Sequence, residues 1–185
     1  MFLNCGRKGV RLIPYAIELY LDKEASMKID EIHSALRESG ISIDEGTRPH
    51  VSLCIYGNLP IEEFENDLKQ FAKETRPFEV IFSHVDAFQT EQPVIFLAPE
   101  TSPELFDAHR KFHDCFSKYG DDVWEYYKPK IWVPHCTLCM DLSQDMYKRA
   151  MKILEGVKLP INARFEKIGT LEFCPNKQLA VFDLG

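Results

Sequence analysis

The sequence predicts an α+β fold that is built from two copies of one unit. Four observations support this prediction. Segments with the two-residue period of strands alternate with segments that have the period of helices. The order of these segments recurs along the chain, and 185 residues suffice for one compact domain with a core. The 13 Phe, 7 Tyr and 2 Trp residues argue against disorder, because aromatic side chains bury large apolar surfaces.

The first half of the chain is predicted to contain four strands and two helices. Residues 1–12 have no period and are assigned to an N-terminal extension, which leaves residues 13–185 as one domain. The helix before Gly40 has an apolar stripe at helical spacing, and a glycine commonly ends a helix. In order, the elements are a strand over 15–21, a helix over 25–36, a strand over 50–56, a helix over 61–71, and strands over 78–88 and 94–97.

The second half is predicted to contain two helices and three strands. Pro103 suits the first turn of a helix, and the apolar stripe of that helix is formed by Leu105, His109, Phe112 and Phe116. A polar, aromatic connection follows. The remaining elements are a strand over 135–141, a helix over 143–154 with Ser143 as its N-cap, and strands over 161–173 and 179–184.

The repeated unit begins at a histidine in each half. The segments HVSLCIY, from His50, and HCTLCMD, from His135, are each followed by a helix and then by a strand that begins at a proline, Pro77 or Pro160. A turn and a further strand complete each copy. A two-fold arrangement of the copies would place equivalent residues face to face.

Both copies fit the pattern Pro-His-x-(Ser/Thr)-Leu-Cys. Because side chains alternate along a strand, His50 lies on the same face as Ser52, and His135 lies on the same face as Thr137. By the same alternation Tyr56 shares the face of His50, where it either lines the site or ends the strand. Each motif strand therefore presents one imidazole and one hydroxyl.

These groups suit phosphodiester cleavage. The reaction needs a base that takes a proton from the attacking water or hydroxyl, and an acid that protonates the departing alkoxide. A histidine titrates near pH ~6.5, so one ring can be neutral while its neighbour is charged. Each such group typically contributes ~10²–10⁴-fold in rate. Hydroxyls can donate hydrogen bonds to the phosphate oxygens on which charge develops.

The two His-x-(Ser/Thr)-Leu motifs, on repeated strands of a chain of this size, resemble those of the two-histidine (2H) phosphoesterase superfamily. Its 2′-5′ RNA ligase-like and cyclic phosphodiesterase members are the most similar, and the resemblance covers residues 15–184. It implies a bilobal fold of two antiparallel sheets, backed by helices, around a central cleft. It also implies metal-independent catalysis without a cofactor, on 2′,3′-cyclic phosphate ends, 2′-5′ linkages or ADP-ribose cyclic phosphate. The catalytic residues would be His50 and His135, and the phosphate-binding residues Ser52 and Thr137.

Further residues near the motifs are candidates for substrate binding. Arg48 either holds a phosphate or is a solvated loop charge, and Lys130 either makes the cleft positive or is solvated. Trp132 either stacks on a base or packs between the lobes. The Cys136-x-x-Cys139 pair is given little weight as a metal or redox site, because this spacing on a strand directs the two sulfurs to opposite faces.

Composition limits the partners. A formal net charge of −7 favours a small nucleotide or a single RNA end over an extended nucleic-acid surface. Neither a signal peptide nor a membrane span is visible, and the six cysteines fit a reducing cytoplasm. A monomer is the default expectation for the oligomeric state. Two alternatives stay open: ligation of RNA ends through a 2′-5′ bond, and nucleotide binding without turnover.

Overall fold

The computed structural model describes residues 14–43, 46–173 and 175–185, and the predicted extension over 1–12 lies outside these ranges. The chain forms one antiparallel sheet with helices packed against it, which confirms the predicted α+β class. The strands are β1 (Tyr15–Leu21), β2 (His50–Tyr56), β3 (Phe78–Phe88), β4 (Val94–Pro99), β5 (Cys136–Cys139), β6 (Ile161–Glu172) and β7 (Lys177–Asp183). The α-helices are α1 (Lys23–Glu38), α2 (Ile61–Glu74), α3 (Pro103–Cys115) and α4 (Gln144–Leu154).

The four α-helices lie where helices were predicted, although α1 and α2 are longer than the predicted ranges 25–36 and 61–71. The Asp22 carboxylate accepts a hydrogen bond from the backbone N–H of Ala25 at 2.9 Å and caps α1. Ser143 caps α4 in the same way through the N–H of Met146. Gly40, just after α1, has a φ of +76°, a conformation in which a side chain would be strained. The predicted apolar stripe of α1, which consists of Ala25, Ile29, Ile32 and Leu36, is buried.

The strand pairings define the repeat. The order across the sheet is β2-β1-β6-β3-β4-β5. The strand β7 is not part of this order and pairs with the second part of β6, which also pairs with β1. Two equivalent units are therefore β1-α1-β2-α2-β3 and β4-α3-β5-α4-β6, and in each unit the first strand pairs with the motif strand. The third strand of each unit crosses to the first strand of the other unit, since β6 pairs with β1 and β3 pairs with β4.

This arrangement refines the predicted pair of sheets. The two halves share one hydrogen-bonded sheet, because the beginnings of the long strands β3 and β6 pair with each other around Val80 and Ala163. The second motif strand is also shorter than the predicted 135–141. It ends before Asp141, whose φ of +55° is incompatible with an extended strand.

The described helices include none that is long and apolar enough to cross a membrane. Two short 3₁₀ turns, Ser117–Asp122 and Glu125–Tyr127, form the predicted polar, aromatic connection between α3 and β5.

One glycine of β6 is required by close packing. A Cβ atom at Gly169 would lie 2.4 Å from the carbonyl oxygen of Ala180 and 2.9 Å from the ring of Tyr20. We expect Gly169→Ala to lower the free energy of unfolding by about 1–3 kcal/mol, since overpacking a strand interior forces neighbours apart. The measurement is urea denaturation. Gly120→Ala is the matched control, because a Cβ at Gly120 meets nothing within 4 Å. Equal stability of the two variants would contradict the packing argument.

Candidate active site

A β-bulge shapes both motif strands. In the first, Ser52 pairs with Glu18 and Cys54 pairs with Ile17, so that Leu53 is an extra residue. In the second, Thr137 pairs with Phe96 and Cys139 pairs with Ile95, so that Leu138 is extra. A bulge reverses the side-chain alternation beyond it and is common beside functional sites. The equivalent position of the two bulges shows that the motifs have one backbone design.

The motif side chains meet at one cavity of about 280 Å³. Its lining includes the predicted residues His50, His135, Ser52, Thr137 and Arg48. Both imidazole rings line this cavity, and the charge of His50 contributes, after burial, to lowering the pKa of His135. The structure therefore brings together both imidazoles, both hydroxyls and one guanidinium from segments that are distant in the chain.

The remaining predicted residues do not line this cavity. Tyr56 is 1% exposed and packs edge-on against Phe64 in the core, because the bulge at Leu53 turns Ile55 to the cavity instead. The expectation that Tyr56 shares the face of His50 is thus wrong. Lys130 is exposed outside the cavity lining, in a left-handed conformation with a φ of 75°.

Trp132 supports the site from behind. It is 6% exposed, and its ring stacks on that of His109 with 3.9 Å between centroids. Its indole Nε1–H donates to the carbonyl oxygen of Ser52 at 3.0 Å. The packing role is therefore the one that the structure supports, and the expectation of a base-stacking Trp132 is wrong for this cavity.

Both histidines are held in the same tautomer. The Nδ1 atom of His50 lies 2.6 Å from the carbonyl oxygen of Arg48, and that of His135 lies 2.7 Å from the carbonyl oxygen of Val133. A carbonyl oxygen can only accept, so Nδ1 carries a proton in each ring. The atom that gains or loses a proton is consequently Nε2 in both.

The surroundings of the two Nε2 atoms differ. His50 Nε2 lies 3.3 Å from Oε1 of Glu18, a carboxylate that is 0% exposed. The ring of His135 packs against Phe88 and Phe96, with centroids 5.0 and 5.4 Å away. Burial lowers the pKa of His135 to about 4, and the charge of His50 contributes to this shift. At neutral pH the Nε2 atom of His135 is therefore a free base.

His33 and Glu18 are among the residues of the site that escaped the sequence analysis. His33, on α1, lines the cavity, and burial lowers the pKa of its ring against the opposing effects of the Thr137 backbone and Asp30. The sequence carries no signal for His33, because the helix face that meets β5 depends on tertiary packing. Glu18 did leave a signal: it is a carboxylate within the apolar strand YAIELYL.

The rim of the cavity beside His135 is apolar. Tyr126, Ile131 and Val133 contribute to the lining and are 68%, 45% and 49% exposed. An aromatic side chain that remains this exposed can stack on a planar group of a substrate. Thr47 and Arg48, before β2, add polar groups to the lining.

In the described part of the chain, no group of three or more His, Cys, Asp or Glu side chains is placed to hold a metal ion. Cys54, Cys136 and Cys139 are buried free thiols, and burial raises the pKa of each to about 12. These thiols are inert small hydrophobes at neutral pH.

Comparison with known proteins identifies the family of this chain. The chain belongs to the 2′-5′ RNA ligase superfamily, whose model matches residues 21–173, and this confirms the 2H phosphoesterase resemblance. An Oceanobacillus iheyensis protein named "Putative phosphoesterase" is 30% identical over 87 residues, and the match covers 47% of each chain, so it spans about half of that relative's length.

Solved structures share the fold. Escherichia coli LigT in apo form superimposes with a TM-score of 0.62 at 15% identity, over 92% of this chain and 96% of that one. The Thermus thermophilus protein TT0787 gives a TM-score of 0.59 at 17% identity, over 92% and 97% of the two chains. LigT complexed with 3′-AMP gives 0.57 at 14% identity, over 93% and 98%.

The packing behind the site makes stability depend on pH. Burial, together with the charge of His113, lowers the pKa of His109 to about 4. The unfolded chain takes up this proton below its ordinary pKa of ~6.5, whereas the folded protein does not, so stability decreases as pH falls from about 6.5 to 4. The amide of a His109→Gln variant can still donate to the Tyr127 carbonyl. Between pH 7 and pH 5 we expect the free energy of unfolding of this variant to fall by roughly 1–2 kcal/mol less than that of the wild type. Urea denaturation at both pH values measures this, and equal losses would exclude His109 as the titrating group.

Proposed function

We propose that this protein is a metal-independent phosphodiesterase that hydrolyses 2′,3′-cyclic phosphate or 2′-5′-linked nucleotide or RNA ends. The observation that carries the proposal is the matched pair of histidines. Each has Nδ1 on the carbonyl oxygen two residues earlier, and both rings line one cavity. A phosphodiester needs one base and one acid, and two Nε2 atoms with unlike surroundings can serve as both.

The roles follow from the surroundings. His135 is neutral at working pH and takes a proton from the attacking water through Nε2. The water oxygen bonds to phosphorus, and the bond from phosphorus to the leaving ribose oxygen breaks. His50, whose Nε2 faces a carboxylate, delivers a proton to that leaving oxygen. The products are a phosphate monoester and a free hydroxyl, and transfer of the proton from His135 to solvent, with reprotonation of His50, resets the pair.

The hydroxyls and Arg48 complete the chemistry. Ser52 and Thr137 lie two residues after the histidines, before the bulges, and therefore on the same face as the rings. Their O–H groups can donate to the non-bridging oxygens as negative charge builds up there. The Arg48 guanidinium, 5.6 Å from the centroid of the Tyr20 ring, supplies positive charge to the cavity lining.

The cavity supports a small substrate. Its volume of about 280 Å³ matches the low end of ligand pockets, and the net charge of −7 disfavours an extended nucleic-acid partner. The exposed Tyr126 offers a surface for a nucleobase. LigT, which shares the fold, has been crystallised with 3′-AMP.

Replacement of the histidines tests the mechanism. We expect His50→Ala and His135→Ala each to lower kcat/KM on 2′,3′-cyclic nucleotides by at least about 10²-fold, and Ser52→Ala or Thr137→Ala by about 10-fold or more. His84→Ala is the control, because this exposed histidine lies outside the cavity lining.

The assay panel should include 2′-5′ oligoadenylate, ADP-ribose cyclic phosphate and tRNA halves, with and without a chelator. Full hydrolysis by the double histidine variant would refute the proposal, and loss of activity with chelator would refute its metal independence.

The pH dependence of kcat/KM should also identify the residue that acts as the base. His135 must be neutral to accept a proton, so kcat/KM should fall as pH decreases through its pKa of about 4. We expect the acidic limb of the pH profile near that value rather than near ~6.5, the ordinary position for histidine. An acidic limb between pH 6 and 7 would show that the base is a solvated ring.

A further inference from the structure

The two halves of the sheet differ chemically at one equivalent position. Glu18 on β1 pairs with Ser52, and Phe96 on β4 pairs with Thr137, each at the same place relative to a bulge. Both side chains contact the histidine of the neighbouring motif strand. The duplicated backbone thus offers a carboxylate to His50 where it offers a phenyl ring to His135.

The carboxylate is held in place by a network of its own. The Tyr20 hydroxyl lies 2.8 Å from Oε2 of Glu18 and 3.0 Å from Oε1 of Gln178. Burial, together with the charge of Glu18, raises the pKa of the Tyr20 phenol, so this hydroxyl keeps its proton and can donate to Glu18. Donation of a hydrogen bond to a carboxylate favours its ionised form. Gly169 provides the space in which the Tyr20 ring lies against β6.

Two positions are possible for the titrating proton. It can lie on Nε2 of His50, with Glu18 ionised, or it can lie on Glu18, with the Tyr20 hydroxyl turned to Gln178. The amide of Gln178 is fixed by donation from Nε2 to the carbonyl oxygens of Thr170 and Ala180. Only the first position leaves His50 able to act as an acid.

We propose that Glu18 is a positioning residue that keeps the titrating proton on Nε2 of His50 and so makes His50 the general acid. This inference rests on the proposed function only for its effect on turnover, because the protonation of His50 is a property of the free protein. An opposite charge within about 4–6 Å of an ionisable group typically shifts the pKa of that group by roughly 1–3 units in favour of its charged form.

Other titratable and charged groups face this pair. Tyr20 is on β1, Arg48 precedes β2, and His135 and Cys136 belong to the opposing motif. Tyr127 interacts with the charge of Glu18 from the 3₁₀ turn before β5. Burial raises the pKa of the Tyr127 phenol and of the Cys136 thiol, so both stay neutral around pH 7.

The kinetic test is Glu18→Gln, which removes the charge and keeps the shape. An acid must be protonated, so activity is lost as pH rises through its titration. Without the carboxylate the proton leaves at lower pH, and we expect the alkaline limb of kcat/KM to move down by about 1 unit or more. Glu18→Asp keeps the charge and should leave that limb closer to its wild-type position. Phe96→Leu is the matched control from the other half, and its alkaline limb should not move.

A second measurement separates this inference from the proposed function. Ring signals of His50 and His135, followed by NMR in the free wild-type protein, should show His135 neutral at pH 6 and give the pH at which His50 becomes neutral. In Glu18→Gln the neutral form of His50 should appear at lower pH than in wild type. The same titration of His50 in both proteins would overturn the role of Glu18, even if cyclic phosphates are hydrolysed. Absence of turnover together with the expected ring titrations would overturn the proposed function alone.

Discussion

The antiparallel pairing of β3 with β6 is the contact on which the rest of the structure depends. These strands join the two halves around Val80 and Ala163, which are 2% and 7% exposed. Each strand then continues into the opposite unit, so that neither half has a complete sheet by itself. Because the exchange fixes one half relative to the other, it also fixes the separation and facing of the two motif strands. The active-site geometry is thus a consequence of main-chain hydrogen bonds that lie outside the cavity.

Duplication gives the two histidines the same backbone geometry, whereas acid/base catalysis needs one histidine to be protonated and the other to be neutral. The backbone gives both histidines the same Nδ1 partner, two residues earlier in the chain, and both strands the same bulge. The difference comes from the neighbouring strands, where Glu18 and Phe96 occupy equivalent positions. One side chain keeps charge near its histidine and the other excludes it. A symmetric backbone can therefore give its two histidines different roles when one equivalent position in each half carries a different side chain.

The aromatic residues around the second motif form a layer behind the cavity. Trp132 stacks on His109 of α3 and donates to the carbonyl oxygen of Ser52. His109 in turn contacts the carbonyl oxygen of Tyr127 at 3.0 Å. This layer connects the helix, the 3₁₀ turn and the first motif strand through packing and directed hydrogen bonds. It restrains the backbone that carries Ser52, as the proposed phosphate-binding role of this residue would require.

Periodicity was enough to predict most elements of the fold. The stripe on α1, the cap at Ser143 and the repeated motif depend on neighbours in the chain, which is why they could be recognised locally. The placement of Tyr56 failed for the opposite reason. Strict alternation holds only while the ladder is regular, and a bulge is set by how the partner strand pairs, here β1.

The sequence by itself determined the α+β class, the two motifs and the four side chains proposed for catalysis, because each of these is a local pattern that occurs twice. Tertiary structure decided the exchange of strands between the halves, the burial of Tyr56 and Trp132, the presence of His33 in the cavity and the contact of Glu18 with His50. These features join residues that are distant in the chain, and their geometry follows from strand register and helix packing rather than from local preference.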